Sequence, residues 1–399
     1  MRWFTGTPCN FIGTQAFFDR ESGLTSRGFQ ALGIESGAIT LGPAQPGDLP
    51  AMTRATWMEL ETPAWWASHR LDGLVFYTWG NSKYRRMVAA AMEAGIPVAQ
   101  VTDTQGVASP YADLNAHLHA EQAHFWHEPR WKQLSRTFAK LPVTLTARAL
   151  LRDRSHARTI ATSDFFFAPT PLAAGRFQKL TRLFQGEEAA GRVRFVPVPV
   201  NFHFKYQPGC EKREEVLSVG RWDSLQKRTP LLTATIALAL RQRPGIRFRI
   251  FGPITAELEN WHAGLPTGLR GQVLLEGLVP NSVLAQASRQ ARVMLVSAAY
   301  EGCHNSSAEA VCCGASVVAC RSPFLGALSW HAGKNSGRLA DFATPQCLSE
   351  TLLEELAAWD RGERDPAAIS EAWTRELHPD RVAARILEIF GKSSPLPPP

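Results

Sequence analysis

Two short apolar runs, Val293-Met294-Leu295-Val296 and Val317-Val318-Ala319, bracket the segment 300–314, which reads YEGCHNSSAEAVCCG. The runs are too short for buried helices, and the small-residue stretch between them is long enough for one loop and one helix. The pattern therefore reads as strand, loop, helix, strand. Glu301 falls where the first strand ends, and Glu309 falls within the helix. Seven residues separate the two carboxylates. That is too far for one helical turn, but it suits one acid on the loop and one on the helix. At the carboxyl end of parallel strands such a pair opens toward the crevice where α/β proteins hold their ligands. The helix entry, Asn305-Ser306-Ser307, supplies capping side chains and backbone N–H groups suited to an anion. The combination predicts a site for a ligand that carries both phosphate and hydroxyls.

The same alternation runs through the rest of the chain. In the first half, strands are expected at 1–5, 38–41, 74–77, 97–101, 165–168 and 193–196. Helices are expected around 87–92 and 172–184 and after the loop at 7–14, and 42–50 is a Pro/Gly-rich loop. Pro197, Pro199, Pro208 and Gly209 then punctuate the chain, and the charged run Glu211-Lys212-Arg213-Glu214-Glu215 follows. By composition this is an interdomain linker. Beyond it the alternation restarts, with strands at 216–219, 248–251, 273–275, 293–296 and 317–319. Helices are expected at 229–240 and, near the end, at 368–377 and 381–390. Two strand-helix series in 399 residues argue for two doubly wound parallel-sheet domains. Residues 393–399, ending Pro-Leu-Pro-Pro-Pro, are expected to form a frayed tail.

The segment EGCHNSSAEAVCCGASVVA resembles the Glu-x7-Glu signature of retaining, GT-B-fold glycosyltransferases of family 4. A second block, Val216-Leu217-Ser218-Val219-Gly220-Arg221 followed by Lys227, resembles the strand-Gly-Arg…Lys element of that family, in the right order. Alone, Arg221 and Lys227 would read as solvated loop cations, but two ordered blocks favour a phosphate role. The resemblance spans roughly residues 193–390 and implies a GT-B fold, two Rossmann-like domains facing a central cleft. The domains implied are 1–200 for the acceptor, 201–375 for the nucleotide-sugar donor, and 376–392 as a helix returning to the first domain. It implies sugar transfer from a nucleotide-diphosphate donor, UDP- or GDP-linked, to an acceptor hydroxyl with retention of configuration. The acceptor could be a polysaccharide, a lipid-linked sugar or a small molecule.

The roles implied are Arg221 and Lys227 on the diphosphate, Glu309 on the ribose, and Glu301 on the donor sugar. Gly302, Asn305 and Ser306 line the donor, and backbone near Gly252 and Val279 reads the base. Gly13 and Thr14 match the first-strand loop. The family often places a His after about the fourth strand, but here the sequence is Val101-Thr102-Asp103-Thr104-Gln105-Gly106. Asp103 is the first candidate for that role, with His117, His119 and His124 behind it. No Asp-x-Asp and no metal-spaced His/Cys/carboxylate cluster occurs, so no metal and no further cofactor is expected. The alternatives are a nucleotide-sugar epimerase, a phosphorylase, or a non-catalytic binding protein with a degenerate donor site.

Seven cysteines without a Cys-x-x-Cys pair read as small buried thiols. The net charge of +7 favours anionic partners, yet no nucleic-acid module is recognisable. No apolar run approaches the roughly 20 residues that span a bilayer, and no signal-peptide core is evident. The expected location is cytoplasmic, with a membrane-peripheral placement as the alternative. The latter rests on 126–158, where Arg130, Lys132, Arg136, Lys140, Arg148, Arg152, Arg154 and Arg158 interleave with Trp126, Trp131, Leu134, Phe138 and Leu141. This stretch predicts a helix pair whose aromatic face turns to the core. The competing reading is a surface that docks on an anionic membrane.

Overall fold

The computed structural model describes residues 1–10, 17–106, 109–123, 129–333 and 335–391. Gly13, Thr14, Trp126, His124 and the tail 393–399 lie outside them. The chain divides into two compact units. One is Met1–Asn201 together with the chain from His378 onward, and the other is Phe202–Leu377.

The first unit holds a seven-stranded sheet. Its strands are β1 (Trp3–Thr7), β2 (Ala38–Leu41), β3 (Met52–Ala55), β4 (Gly73–Phe76), β5 (Val98–Val101), β6 (Phe165–Ala168) and β7 (Val193–Phe195). The order is β3-β2-β1-β4-β5-β6-β7, and every pairing is parallel. The central strands are buried along their whole length, as parallel strands covered on both faces must be. Trp3 is fully buried, with Phe29 at 5.5 Å and Phe390 at 5.0 Å between ring centroids. Phe29 lies on the helix Glu21–Ala31, against which the helix Pro379–Ile389 packs. The approach needs Gly28, since a Cβ there would stand 2.0 Å from the Pro379 carbonyl oxygen.

The second unit holds a six-stranded sheet of β8 (Arg213–Val219), β9 (Arg247–Phe251), β10 (Val273–Gly277), β11 (Ala291–Val296), β12 (Ser316–Cys320) and β13 (Gly337–Ala340). All pairings are parallel, in the order β10-β9-β8-β11-β12-β13. In each sheet the winding reverses beside the first strand, between β1 and β4 and between β8 and β11. Such a reversal leaves a crevice at the carboxyl ends of the two strands.

Three readings of the sequence need correction. Strands β3 and β13, at sheet edges, went unrecognised. The run 211–215 is not wholly linker, because β8 opens at Arg213. Glu215 is buried, with Arg247 and Arg249 of β9 each 3.6 Å away, and the Lys212 ammonium donates to the carbonyls of Ser288, Ala291 and Cys313 at 2.8–3.2 Å. These charges have fixed partners, which composition cannot show. Finally, Trp131, Leu134 and Phe138 on the helix Arg130–Val143 do not face the core; all three are exposed.

Candidate nucleotide-sugar site

The loop after β8 is shaped by its own acid. Asp223 accepts at Oδ1 from the backbone N–H groups of Gln226 and Lys227, an Asx-type turn. Its carbonyl accepts from Thr229, the first residue of the helix Thr229–Gln242. The turn lies along the loop after β11, because Ser297 Oγ donates to the Lys227 carbonyl at 2.6 Å and the Ala299 N–H donates to that of Gln226 at 2.8 Å. Two loops 70 residues apart in sequence are thereby held side by side. Arg228 sits at their junction with φ +49°, a left-handed conformation that costs a non-glycine residue energy and concentrates at functional sites.

This clamp brings Lys227 Nζ to 2.6 Å from Glu301 Oε1, a salt bridge whose side chains are 13% and 9% exposed. Burial raises the Glu301 pKa, and the charges of Lys227 and Arg221 pull against that rise. Arg221 itself is exposed and makes no ion pair among the described residues. The floor beneath is Gly220, whose absent side chain leaves room for the Lys227 stem, 3.3 Å from where a Cβ would stand. Gly252, at the end of β9, has φ +112°, and its Cβ would lie 1.9 Å from the Gly220 carbonyl oxygen. Only glycine lets the ends of β8 and β9 come this close.

Glu309 lies on the helix Asn305–Cys312, which follows the Glu301 loop. Its carboxylate has no hydrogen-bond partner among the described residues, and burial pushes its pKa up to about 7. The helix cap corrects the sequence reading. It is His304, one residue before Asn305, in a left-handed conformation (φ +46°) with Nδ1 accepting from the Ser307 N–H at 3.2 Å. Ser307 Oγ turns inward to His331 Nδ1 at 2.7 Å. Burial drives the His304 pKa well down, assisted by the Lys227 charge, and lowers that of His331 to about 3. Both rings are therefore neutral, and the positive charge of this corner comes from Lys227, Arg221 and the helix amino end.

Of the residues singled out from the sequence, the second unit gathers Gly252, Arg221, Lys227, Glu301, Gly302, Asn305, Ser306 and Glu309 around the carboxyl ends of β9, β8 and β11. Val279 follows β10 in the next position along the same sheet edge. Asp103 belongs to the first unit, just past β5. Burial raises its pKa, the Glu21 charge adds to the rise, and a hydrogen bond from the Trp79 side chain opposes it. His117 is buried. Sequence reasoning missed His304 as a cap and Asp223 as the loop's clamp. The Asp four residues before Lys227 was a legible turn signal, whereas His304 is not of a residue type that favours an N-cap.

Solved structures share this fold. The HepE protein of Anabaena, solved with UDP, superposes with a TM-score of 0.61 at 12% identity, covering 98% of this chain and 100% of that one. Sucrose-phosphate synthase of Thermosynechococcus elongatus gives 0.60 at 14% identity over 98% of both chains. The lipopolysaccharide outer core galactosyltransferase WaaB gives 0.57 at 14%, covering 98% of this chain and 99% of its own. No curated protein matches by sequence. The fold is the GT-B fold of these glycosyltransferases, two parallel-sheet α/β units. Residues 213–357, in the second unit, match the family of glycosyl transferases group 1.

Proposed function

We propose that the chain transfers a hexosyl group from a nucleoside-diphosphate sugar to an acceptor hydroxyl, with retention of configuration and without a metal ion. The observation that carries this is the Lys227–Glu301 pair at the mouths of adjacent strands β8 and β11, with the charge of the exposed Arg221 also acting on Glu301. When the sugar departs, negative charge grows on the leaving diphosphate, and cations already fixed there lower the barrier without reorganising. Arg221 offers a fork to two phosphate oxygens and Lys227 a compact charge. Two cations fill the part a divalent ion plays elsewhere.

The unpartnered Glu309 carboxylate suits the vicinal hydroxyls of a ribose, which can donate two hydrogen bonds to one carboxylate. Glu301 then contacts hydroxyls of the donor sugar, with Gly302, Asn305 and Ser306 around it, and backbone near Gly252 and Val279 takes the base. Asp103, whose pKa burial raises, orients the sugar or receives the acceptor's proton. UDP in the HepE structure supports a uridine nucleotide, and the resemblance of the Glu-x7-Glu segment supports retention.

The test begins with thermal unfolding in the presence of UDP, GDP and ADP and their sugars, since a ligand bound only by the folded chain raises the midpoint. The nucleotide that shifts it most is then supplied as its sugar with an acceptor panel, and products are read by mass and anomeric NMR. A shift with one diphosphate and an α-linked product from an α-linked donor is the expected result. A shift without turnover on any acceptor would leave a binding protein in place of an enzyme. No shift with any nucleotide sinks the proposal.

A further inference from the structure

The helix Arg130–Val143 of the first unit carries two stripes. Trp131, Leu134 and Phe138, spaced three and four apart, share one face, and Lys132, Arg136 and Lys140, spaced by four, share the opposite face. An amphipathic helix normally buries its apolar stripe against its own protein. Here Trp131 is 67% exposed and Phe138 61% exposed, with Leu134 also in water. Val143, at the helix end, and Leu151 beyond it are exposed as well. Between residues 130 and 152 the chain has six Arg or Lys and no acid. Nearly the whole +7 excess of the protein could be supplied by this one stretch.

We propose that this helix docks on the surface of an anionic lipid bilayer. Its aromatic and aliphatic stripe enters the headgroup boundary, and its basic face remains in the aqueous layer near the lipid phosphates. Both features of the helix argue for this occupant. A second copy of the chain seated on the apolar face would cover Trp131, Leu134 and Phe138 but leave the cations of the opposite face without a counter-charge. A polyanion such as nucleic acid would answer the charge but leave Trp131, Leu134 and Phe138 in water. A membrane satisfies both stripes at once. No helix among the described residues is long and apolar enough to cross a membrane, so the attachment is peripheral and reversible.

The experiment is flotation of the full chain with vesicles of phosphatidylcholine alone and of phosphatidylcholine with 25% phosphatidylglycerol. Binding is expected only to the mixed vesicles and is expected to be lost in 0.5 M salt. Each cation removed weakens partition by about five-fold, so the triple variant Lys132→Ser, Arg136→Ser, Lys140→Ser binds about 100-fold more weakly. The double variant Trp131→Ser, Phe138→Ser loses binding even at low salt. Both variants keep the wild-type melting temperature, because every altered side chain is on the surface. Failure of the wild type to float with mixed vesicles overturns the proposal. So does full binding by the double apolar variant, which would make the attraction purely electrostatic. A concentration-dependent dimer abolished by Phe138→Ser, without vesicle binding, would assign the face to self-association instead.

Discussion

Replacing Glu301 with Gln removes a carboxylate 2.6 Å from the Lys227 ammonium while keeping the size of the side chain. At an effective dielectric near 20 so short a contact is worth roughly 6 kcal/mol of attraction. Desolvating both ions costs several kcal/mol each, so the net worth of the pair to the fold is small. Its larger effect is to occupy Lys227. A diphosphate must share that ammonium with Glu301, and Glu301→Gln releases it, so a nucleoside diphosphate without its sugar is expected to bind equally well or up to about tenfold more tightly. Lys227→Ala acts in the opposite direction. It deletes a charge-assisted hydrogen bond worth about 1.5–3 kcal/mol, a loss of roughly 10- to 150-fold in affinity. Both variants lose sugar transfer. Titration calorimetry with the diphosphate found by thermal shift, run beside the turnover assay, separates the two signs. If both variants lowered the melting temperature alike and neither changed diphosphate affinity, the pair would be a structural ion pair and the reasoning would fail.

Three further outcomes follow from the same corner of the second unit. Ribose hydroxyls donating to Glu309 favour its ionised form, so nucleotide affinity is expected to rise with pH toward about 7, with proton release. Calorimetry in two buffers of different ionisation enthalpy reads this, and Glu309→Gln removes the pH dependence. Without ligand the sign is reversed. The unfolded chain loses this proton near 4.5 and the folded chain near 7, so the group's contribution to stability declines as pH rises between those values. Gly252→Ala places a Cβ 1.9 Å from the Gly220 carbonyl oxygen at φ +112°; overpacking and backbone strain together are expected to cost about 2–5 kcal/mol in urea unfolding. An unchanged midpoint would mean that the strand ends are not in contact. His331 is neutral in the fold down to about pH 3 but takes a proton near 6.5 when unfolded. Stability is therefore lost as pH falls below about 6.5, by up to about 1.4 kcal/mol per pH unit for this group, and His331→Gln flattens that slope in acid unfolding curves.

What could be read from the chain divides along a physical line. Strands β11 and β12 were legible because a parallel strand buried on both faces must be apolar without interruption, and Val293–Val296 and Val317–Ala319 satisfy that demand alone. β3 and β13 were not legible. Each has one neighbour in its sheet and is only partly buried, so Met-Thr-Arg-Ala and Gly-Arg-Leu-Ala carry no such signature. The candidate site follows the same rule. Glu301 at a strand end and Glu309 on the next helix come from local pattern, but the contact between Lys227 and Glu301 depends on β8 lying beside β11. That adjacency is a property of winding order, and only the resemblance to a family supplied it. The helix Arg130–Val143 shows the limit most plainly. Periodicity correctly placed Trp131, Leu134 and Phe138 on one face, because 3.6 residues per turn is a local property. What covers a face is decided by whichever surface comes to meet it. Where the protein's own core does not, the apolar stripe is left for a partner, and the cations opposite select which kind.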